Sequence, residues 1–498
     1  MLPLVVVCLL TAVLLAPGLV AGPSLDAAVF THVAGQLNAG GTLYLDTWDH
    51  KPPIVYLLYA GGQWLLPFAD AWLVTWLIAV VATAAAGLLL HAIAIRLGVR
   101  RPVALLAAAA AVVGMAQYLV ALGGGLTEPV ATVPLAAALL LVVRSRLSPR
   151  SALAAGALLG LTPLVAIPTV AAVLAVGLLA LARLRSRPLE VGLLVLGGVV
   201  PALLTAAWLF AIGAWNAALD AVLGYAVAYR TATASAAAEL SGPAATWTTL
   251  SLLFLVVPAI LGAMSGMRQP KRRPVTLAML LWLAASLVLF AYQGRFFAHY
   301  AIPLAIPLAL LAAFGLDRVE VLRGLRARPS RTLLLYAPLA FGAAISLVAG
   351  FLSAAMELAP VAADHRRSAA LAPVIQSATS ADDAMWVWGN EPEIYLAADR
   401  PSATRYSYLY PLVTPGYATA QMVADALAQL EADPPALIVD AGSARPGLAG
   451  FQRLLLPRPL VSDGRDLDIL GPLRAFVAAH YEEGPTVDGW VVYRLVTR

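Results

Sequence analysis

Apolar runs long enough to cross a bilayer recur through the first 355 residues, and they restrict what this chain can fold into. They lie at about 1–21, 71–95, 103–121, 129–143, 152–182, 189–213, 247–265, 275–292, 299–316 and 332–355. About 20 apolar residues make one helical span, because inside the hydrocarbon every backbone polar group must be paired within the segment. The run 152–182 exceeds one span and is interrupted by Thr162-Pro163 and Ile167-Pro168, so it divides into two short helices. The expectation is a polytopic α-helical membrane protein with about 11 transmembrane helices. A composition of 61% hydrophobic and 12% charged residues agrees with it.

The net charge of +5 does not point to nucleic acid, because the basic residues are concentrated in short loops between spans. Alternate loops hold Arg96, Arg100 and Arg101; Arg144, Arg146 and Arg150; Arg183, Arg185 and Arg187; Arg268, Lys271, Arg272 and Arg273; and Arg318, Arg323, Arg326, Arg328 and Arg331. The other loops hold only Lys51, Arg230 and Arg295. Basic residues accumulate on the cytoplasmic side. The amino terminus is therefore expected inside, with the loop 22–70 and everything after about 356 outside. Run 1–21 has no basic flank and reads as a retained span rather than a cleaved signal peptide. The single cysteine, Cys8, excludes an intramolecular disulfide, and Val5-Val6-Val7 before it does not suit lipid attachment.

From about 357 the composition becomes that of a soluble α/β unit. Met385–Gly389, Leu437–Asp440 and Trp490–Leu495 read as strands, and Thr419–Leu430 and Pro472–His480 have helical spacing. Two domains are expected, 1–355 in the membrane and 356–498 as an extracytoplasmic α/β domain. All but two of the 32 basic residues are Arg, and Ala, Gly and Pro abound, as in a GC-rich bacterial genome. The expected location is a bacterial cytoplasmic membrane.

The segment Gly22 to Tyr59 departs from this pattern. It lies between apolar runs yet carries Asp26, Asp46, Asp49, His50 and Lys51, and ionisable residues beside a membrane are costly unless they serve a site. Asp26 opens a short amphipathic helix capped by Ser24, with Ala28, Val29, Val33 and Leu37 on its apolar side. Pro52-Pro53 sets the start of a second helix rigidly, which puts His50 and Lys51 at a helix N-terminus suited to an anion such as phosphate. Lys51 stands out because this chain writes Arg almost everywhere else, and because basic residues are rare in the outer loops. Arg295, His299 and Tyr300, in Gly294-Arg295-Phe296-Phe297-Ala298-His299-Tyr300, offer further anion contacts or an interfacial anchor. Glu128, after Gly123-Gly124-Gly125, reads as a second acidic site residue or a helix-start carboxylate. His50 with Asp46, Asp49 or His32 offers donors for a divalent metal, without a diagnostic spacing. Asp440 and the turn Trp388-Gly389-Asn390-Glu391 read as structural.

An acidic residue just after the first span, followed about 20 residues later by G-x-x-Y-x-D-x-W-D-x-K-P-P at Gly41–Pro53, resembles the GT-C glycosyltransferases. Within them it is similar to the bacterial proteins akin to protein O-mannosyltransferases and to the aminoarabinose transferase of lipid A. The resemblance covers about residues 1–355 and is most specific in the first outer loop. It implies transfer of a sugar from a polyprenyl-phosphate donor to a lipid, glycan or protein acceptor at the outer membrane face, with inversion at the anomeric carbon. By that resemblance Asp26 is the general base and Lys51 meets the carrier phosphate; apart from it, the residues themselves make Arg295, His299 and Tyr300 candidates for further phosphate contacts, and Asp49, His50 and Glu128 candidates for additional site residues. No Gly-rich nucleotide loop accompanies the pattern. Two other readings remain. A transporter or flippase of a lipid-linked anion would place ionisable groups mid-span, whereas here they gather at helix ends. A membrane-anchored assembly protein would leave the polar first loop without a purpose.

Overall fold

The structure is a computed structural model describing residues 1–144, 146–231, 243–293, 297–318, 361–441 and 468–496, with isolated positions among 348–359. The first apolar run forms α1 (Leu2–Leu15) and α2 (Pro17–Ala21). Gly22 then turns the chain at φ 82°, and Ser24 caps α3 (Leu25–Asn38) by accepting the Ala27 N–H at 3.4 Å. Helix α4 (Ile54–Leu65) starts directly after Pro52-Pro53, with Pro53 already at helical angles. There follow α5 (Ala71–Arg96), α6 (Arg101–Ala116), α7 (Tyr118–Ala121), α8 (Thr127–Val142), α9 (Pro149–Leu161), α10 (Val170–Leu184), α11 (Pro188–Ala211), α12 (Trp215–Leu219) and α13 (Tyr225–Thr231). Three more helices span Pro243–Met267, Arg273–Gln293 and Ala305–Arg318, the last entered through a 3-10 segment at Ala298–Leu304.

Among the described residues, six stretches are long and apolar enough to cross a membrane: Leu2–Ala21, Ala71–Arg96, Ile167–Leu184, Pro188–Ala211, Arg273–Tyr292 and Ala298–Asp317. Arg101–Ala116, Thr127–Val142 and Leu252–Met267 are apolar but shorter. The expected run at 332–355 lies almost entirely outside the described residues. The 152–182 run divides where its prolines fall: α9 ends at Leu161, and two 3-10 turns, Thr162–Leu164 and Ile167–Thr169, lead into α10. Helices α9 and α11 approach so closely that a Cβ on Gly156 would run into the Leu194 carbonyl, and one on Gly197 into that of Leu153. Glycine at both positions is what lets the two backbones meet. Where the bundle ends away from His299, Asp317 joins Arg272 at 2.7 Å and Arg100 at 3.1 Å.

The C-terminal region carries a four-stranded sheet in the order β1 (Met385–Trp388), β2 (Leu437–Asp440), β4 (Trp490–Leu495), β3 (Tyr481–Val487), parallel between β1 and β2 and antiparallel elsewhere. Strands β1 and β2 are buried along their whole length, which suits their apolar sequence up to Asp440 at the end of β2. Their side chains still alternate. Met385, Val387, Leu437 and Val439 pack with Leu371 and Ile375 of the helical stretch 361–378. Trp386, Trp388 and Ile438 face the other way, into a cluster that includes helices Ala420–Ala432 and Gly471–His480. That cluster continues through Tyr406, Tyr408 and Tyr417 to Trp48, Tyr56 and Tyr225, so the C-terminal region and the 22–70 segment share one core. The strand β3 is additional to the three expected. It is an edge strand whose Glu482 and Glu483 are exposed, the usual protection of an open edge, and such a pattern hides a strand from a search for apolar alternation.

Candidate active site

The expected site residues all stand at or just before helix starts: Asp26 in the first turn of α3, Lys51 two residues before the Pro53 cap of α4, Glu128 in the first turn of α8, and His299 and Tyr300 in the 3-10 segment. The fold brings these starts together. Burial opposes the charge on Lys51, but Asp26, Tyr300, Glu128 and Asp49 outweigh it and hold the ammonium above the usual lysine range. Glu128, Asp26 and Lys51 all lie close enough to His299 to act on its charge. Asp26 Oδ2 is 3.9 Å from His299 Nε2, with the Asp26 side chain 32% exposed. Lys51 Nζ lies 6.0 Å from the Phe30 ring centroid, and among the described residues it forms no ion pair within 4.0 Å. A cation kept protonated, near carboxylates but bound to none, leaves its N–H donors for an incoming anion. Arg295 lies outside the described residues.

Glu128 reaches this site through an unusual turn. Leu122, Gly123, Gly124 and Gly125 have φ of 49°, 84°, 112° and 79°, a left-handed run that only glycine adopts readily. The turn lies against the Asp26 region: a Cβ on Gly123 would stand 2.6 Å from Gly18 Cα, and one on Gly125 2.7 Å from Ala27 Cβ. The three glycines thus press the start of α8 against the start of α3. Trp72 donates to the Gly18 carbonyl at 3.1 Å and Trp76 to that of Leu15 at 2.9 Å, fixing α1 and α2 on α5. Helix α3 is tied to α5 by Thr31 and Thr75 hydroxyls at 3.0 Å, and to α4 by Gln63 Nε2 to Thr31 O at 3.1 Å.

Asp49 has a different environment. It is 1% exposed, with His50 Nδ1 at 3.0 Å, the Tyr408 hydroxyl at 2.5 Å and the Tyr56 hydroxyl also donating to it. Burial alone would raise its pKa. The His50 charge and the hydrogen bonds from His50, Tyr408 and Tyr56 prevail and lower it to about 2. Asp49 is an ionised carboxylate and accepts only, so His50 Nδ1 carries the proton between them. The neighbouring backbone is held as well: Tyr44 donates to the Lys51 carbonyl at 2.8 Å, and the Lys51 N–H donates to the Tyr56 hydroxyl at 3.3 Å.

Of the metal donors suggested by sequence, only His50 and Asp49 stand together. His50 faces Asp49, Asp46 accepts the Thr42 N–H at 2.7 Å, and His32 stacks on Tyr395 at 4.5 Å. Burial lowers His32 to about 4, so it is a neutral ring at neutral pH. Among the described residues no group of three or more His, Cys, Asp or Glu side chains is arranged to hold a metal ion. Arg230 stacks on the Tyr292 ring at 3.6 Å and donates to its carbonyl at 3.0 Å. Sequence reasoning missed Tyr408 and Tyr417, which come from more than 350 residues away, and gave no role to Asp220, which accepts from Tyr417 at 2.6 Å. No local pattern marks them.

By sequence, no family model and no curated protein matches the chain. By structure, ArnT from Cupriavidus metallidurans bound to undecaprenyl phosphate matches with a TM-score of 0.58 over 98% of each chain, at 15% identity. The apo state of the same protein matches at 0.57 and 14% identity over 98% of this chain and 97% of that one. The archaeal oligosaccharyltransferase AglB from Archaeoglobus fulgidus, in complex with an inhibitory peptide and a dolichol-phosphate, gives 0.48 at 12% identity over 88% of this chain and 69% of that one. At these identities the likeness is one of fold: the chain carries the fold of ArnT.

Proposed function

We propose that this protein is a GT-C glycosyltransferase that moves a sugar from a polyprenyl-phosphate donor to an acceptor hydroxyl at the outer face of a bacterial cytoplasmic membrane. In this reading residues 1–355 form the membrane domain with 11 spans and a cytoplasmic amino terminus, and residues 356–498 form an extracytoplasmic domain. The observation that carries the proposal is the protonated Lys51, close to Asp26 and Glu128 without an ion pair to either among the described residues. The carrier phosphate would take that position, beside the start of α4, with His299, Tyr300 and Arg295 as further contacts. Undecaprenyl phosphate is the molecule bound to the ArnT structure of the same fold.

Asp26 is partly exposed and carries no close hydrogen-bond donor of its own among the described residues; the His299 ring stands 3.9 Å away. Such a carboxylate is free to accept a proton. The acceptor hydroxyl oxygen attacks the anomeric carbon as its proton passes to Asp26. The bond from that carbon to the phosphate oxygen breaks, its electron pair staying on the phosphate, whose added charge Lys51 stabilises. Attack opposite the leaving phosphate inverts the anomeric centre. Transport without bond making is disfavoured because the ionisable cluster sits at helix starts rather than along the spans.

Cells lacking the protein should accumulate one lipid-linked sugar, identified by mass spectrometry, and lose the matching modification on an envelope acceptor. Wild type should restore both and Asp26→Asn neither. Restoration by Asp26→Asn would overturn the assignment of the base.

A further inference from the structure

The Asp49 network includes a residue that the catalytic scheme does not use. Tyr408 lies in the C-terminal region, and its hydroxyl donates to Asp49 Oδ1 at 2.5 Å. Asp49 Oδ2 takes the Tyr56 hydroxyl, and that same hydroxyl accepts the Lys51 N–H at 3.3 Å. A continuous path therefore runs from Tyr408 through Asp49 and Tyr56 to the Lys51 backbone, whose carbonyl is held by Tyr44. It is reinforced one residue earlier, where the Trp48 N–H donates to the Arg405 carbonyl at 2.8 Å and the Trp48 indole to the Tyr417 hydroxyl at 3.2 Å.

Tyr408 is itself held by the sheet. The Leu409 N–H donates to the Gly389 carbonyl at 3.0 Å and to Asn390 Oδ1 at 3.2 Å, at the end of β1. Along the other edge of β1, Met385 pairs with the segment carrying these residues, through Pro401 O at 3.0 Å and Ala403 N at 2.8 Å. A rigid strand end thus delivers a phenol to a buried carboxylate on the first polar segment. A carboxylate this buried needs its donors: with one removed, its charge is under-compensated, and it must move or admit water. Either response shifts the turn that carries Lys51.

We propose that Tyr408 is a positioning residue for the carrier-phosphate site, acting through Asp49 to fix the Lys51 turn, so that the C-terminal region completes the donor site. This rests on the proposed phosphate role of Lys51. A residue that only held the two regions together would lower stability and reduce activity through the folded fraction. A positioning residue instead weakens donor binding in molecules that remain folded.

The test uses the full-length protein in lipid nanodiscs, with undecaprenyl phosphate as the binding probe and thermal unfolding as the control. Tyr408→Phe keeps the ring and removes the donor. Its Kd for undecaprenyl phosphate should rise about tenfold, the scale of a lost charge-assisted hydrogen bond, with the KM for a lipid-linked donor rising in parallel and kcat little changed. Asp49→Asn should weaken binding similarly, and adding Tyr408→Phe to it should have little further effect, because both act on one path. Wild-type affinity in Tyr408→Phe, or fully additive losses in the double variant, would overturn the inference. Lys51→Ala separates the two claims. If it binds as wild type, the phosphate assignment fails. If it loses binding while Tyr408→Phe retains it, only the positioning role fails.

Discussion

The first turn of α3 and the turn before α4 each carry a carboxylate on the same polar segment, and the fold treats them in opposite ways. Asp26 is about one-third exposed, with His299 Nε2 at 3.9 Å. Asp49 is buried and takes three donors, one of them from the far end of the chain. The energetics explain the division. Burying an ionised carboxylate costs several kcal/mol, and charge-assisted hydrogen bonds return about 2 kcal/mol each, so three offset the burial. A group so compensated is fixed in its charged form and suits holding structure. Asp26, less enclosed, keeps lone pairs for the proton that the proposed reaction would bring to it. The two roles follow from environment, since the residue type is the same.

Exchanging functional groups at the two positions should separate these roles. The largest expected effect is at the proposed base: Asp26→Asn should lower transfer at least about a thousandfold, within the range of general-base contributions, without changing the thermal unfolding midpoint. Asp49→Ala should do the reverse in kind, lowering stability by about 3 kcal/mol, as read by thermal or proteolytic unfolding. An unfolding midpoint that falls more for Asp26→Asn than for Asp49→Ala would break the comparison.

The pH response sharpens it. The Asp49 pKa is depressed from 3.8 to about 2, so its stabilising contribution is complete above pH 3.8 and is lost as pH falls toward 2. Asp49→Asn should flatten that acid limb. Glu391 and Glu393 in the C-terminal region behave oppositely. Burial, with Asp440 adding to it, raises Glu391 from 4.5 to about 7, and burial with Glu391 raises Glu393 to about 8. Their contribution is therefore complete below pH 4.5 and declines as pH rises through 7 and 8. Glu393→Gln should remove part of that decline in a stability profile between pH 5 and 9.

Smaller effects test how the Asp26 side of the site is built. Gly125→Ala puts a Cβ 2.7 Å from that of Ala27 at φ 79°, and should displace Glu128 relative to Asp26, lowering transfer about tenfold for a strain of about 2 kcal/mol. Ser24→Ala removes the cap of α3 and should reduce stability by about 1 kcal/mol, with activity nearly unchanged.

Much of this was legible in the sequence for local reasons. The proline break at Thr162-Pro163, the Ser24 cap and the Pro-Pro start of α4 are encoded within a few residues, and the structure carries each of them, as it does the apolar helices that fall among the described residues. Two apolar C-terminal strands were readable because both their faces are covered. Strand β3 was not, although Asp488-Gly489, with φ 46° and 89°, is a recognisable hairpin turn that points to it. In the site, Asp26 and Lys51 stood out by position and by the rarity of outer basic residues. The partners that define Asp49 did not, because Tyr56 reads as an ordinary helix residue and Tyr408 reaches it only through the tertiary fold. The purpose of Gly123–Gly125 was hidden for the same reason, since what the turn touches is Gly18 and Ala27.

The most direct test of the central claim loads purified protein in nanodiscs with polyprenyl-phosphate-linked sugar extracted from membranes of its host, adds acceptor-bearing membranes, and follows release of free polyprenyl phosphate by mass spectrometry. The expected result is release by wild type and none by Asp26→Asn, with both proteins binding undecaprenyl phosphate equally well. Release by Asp26→Asn at the wild-type rate would contradict it.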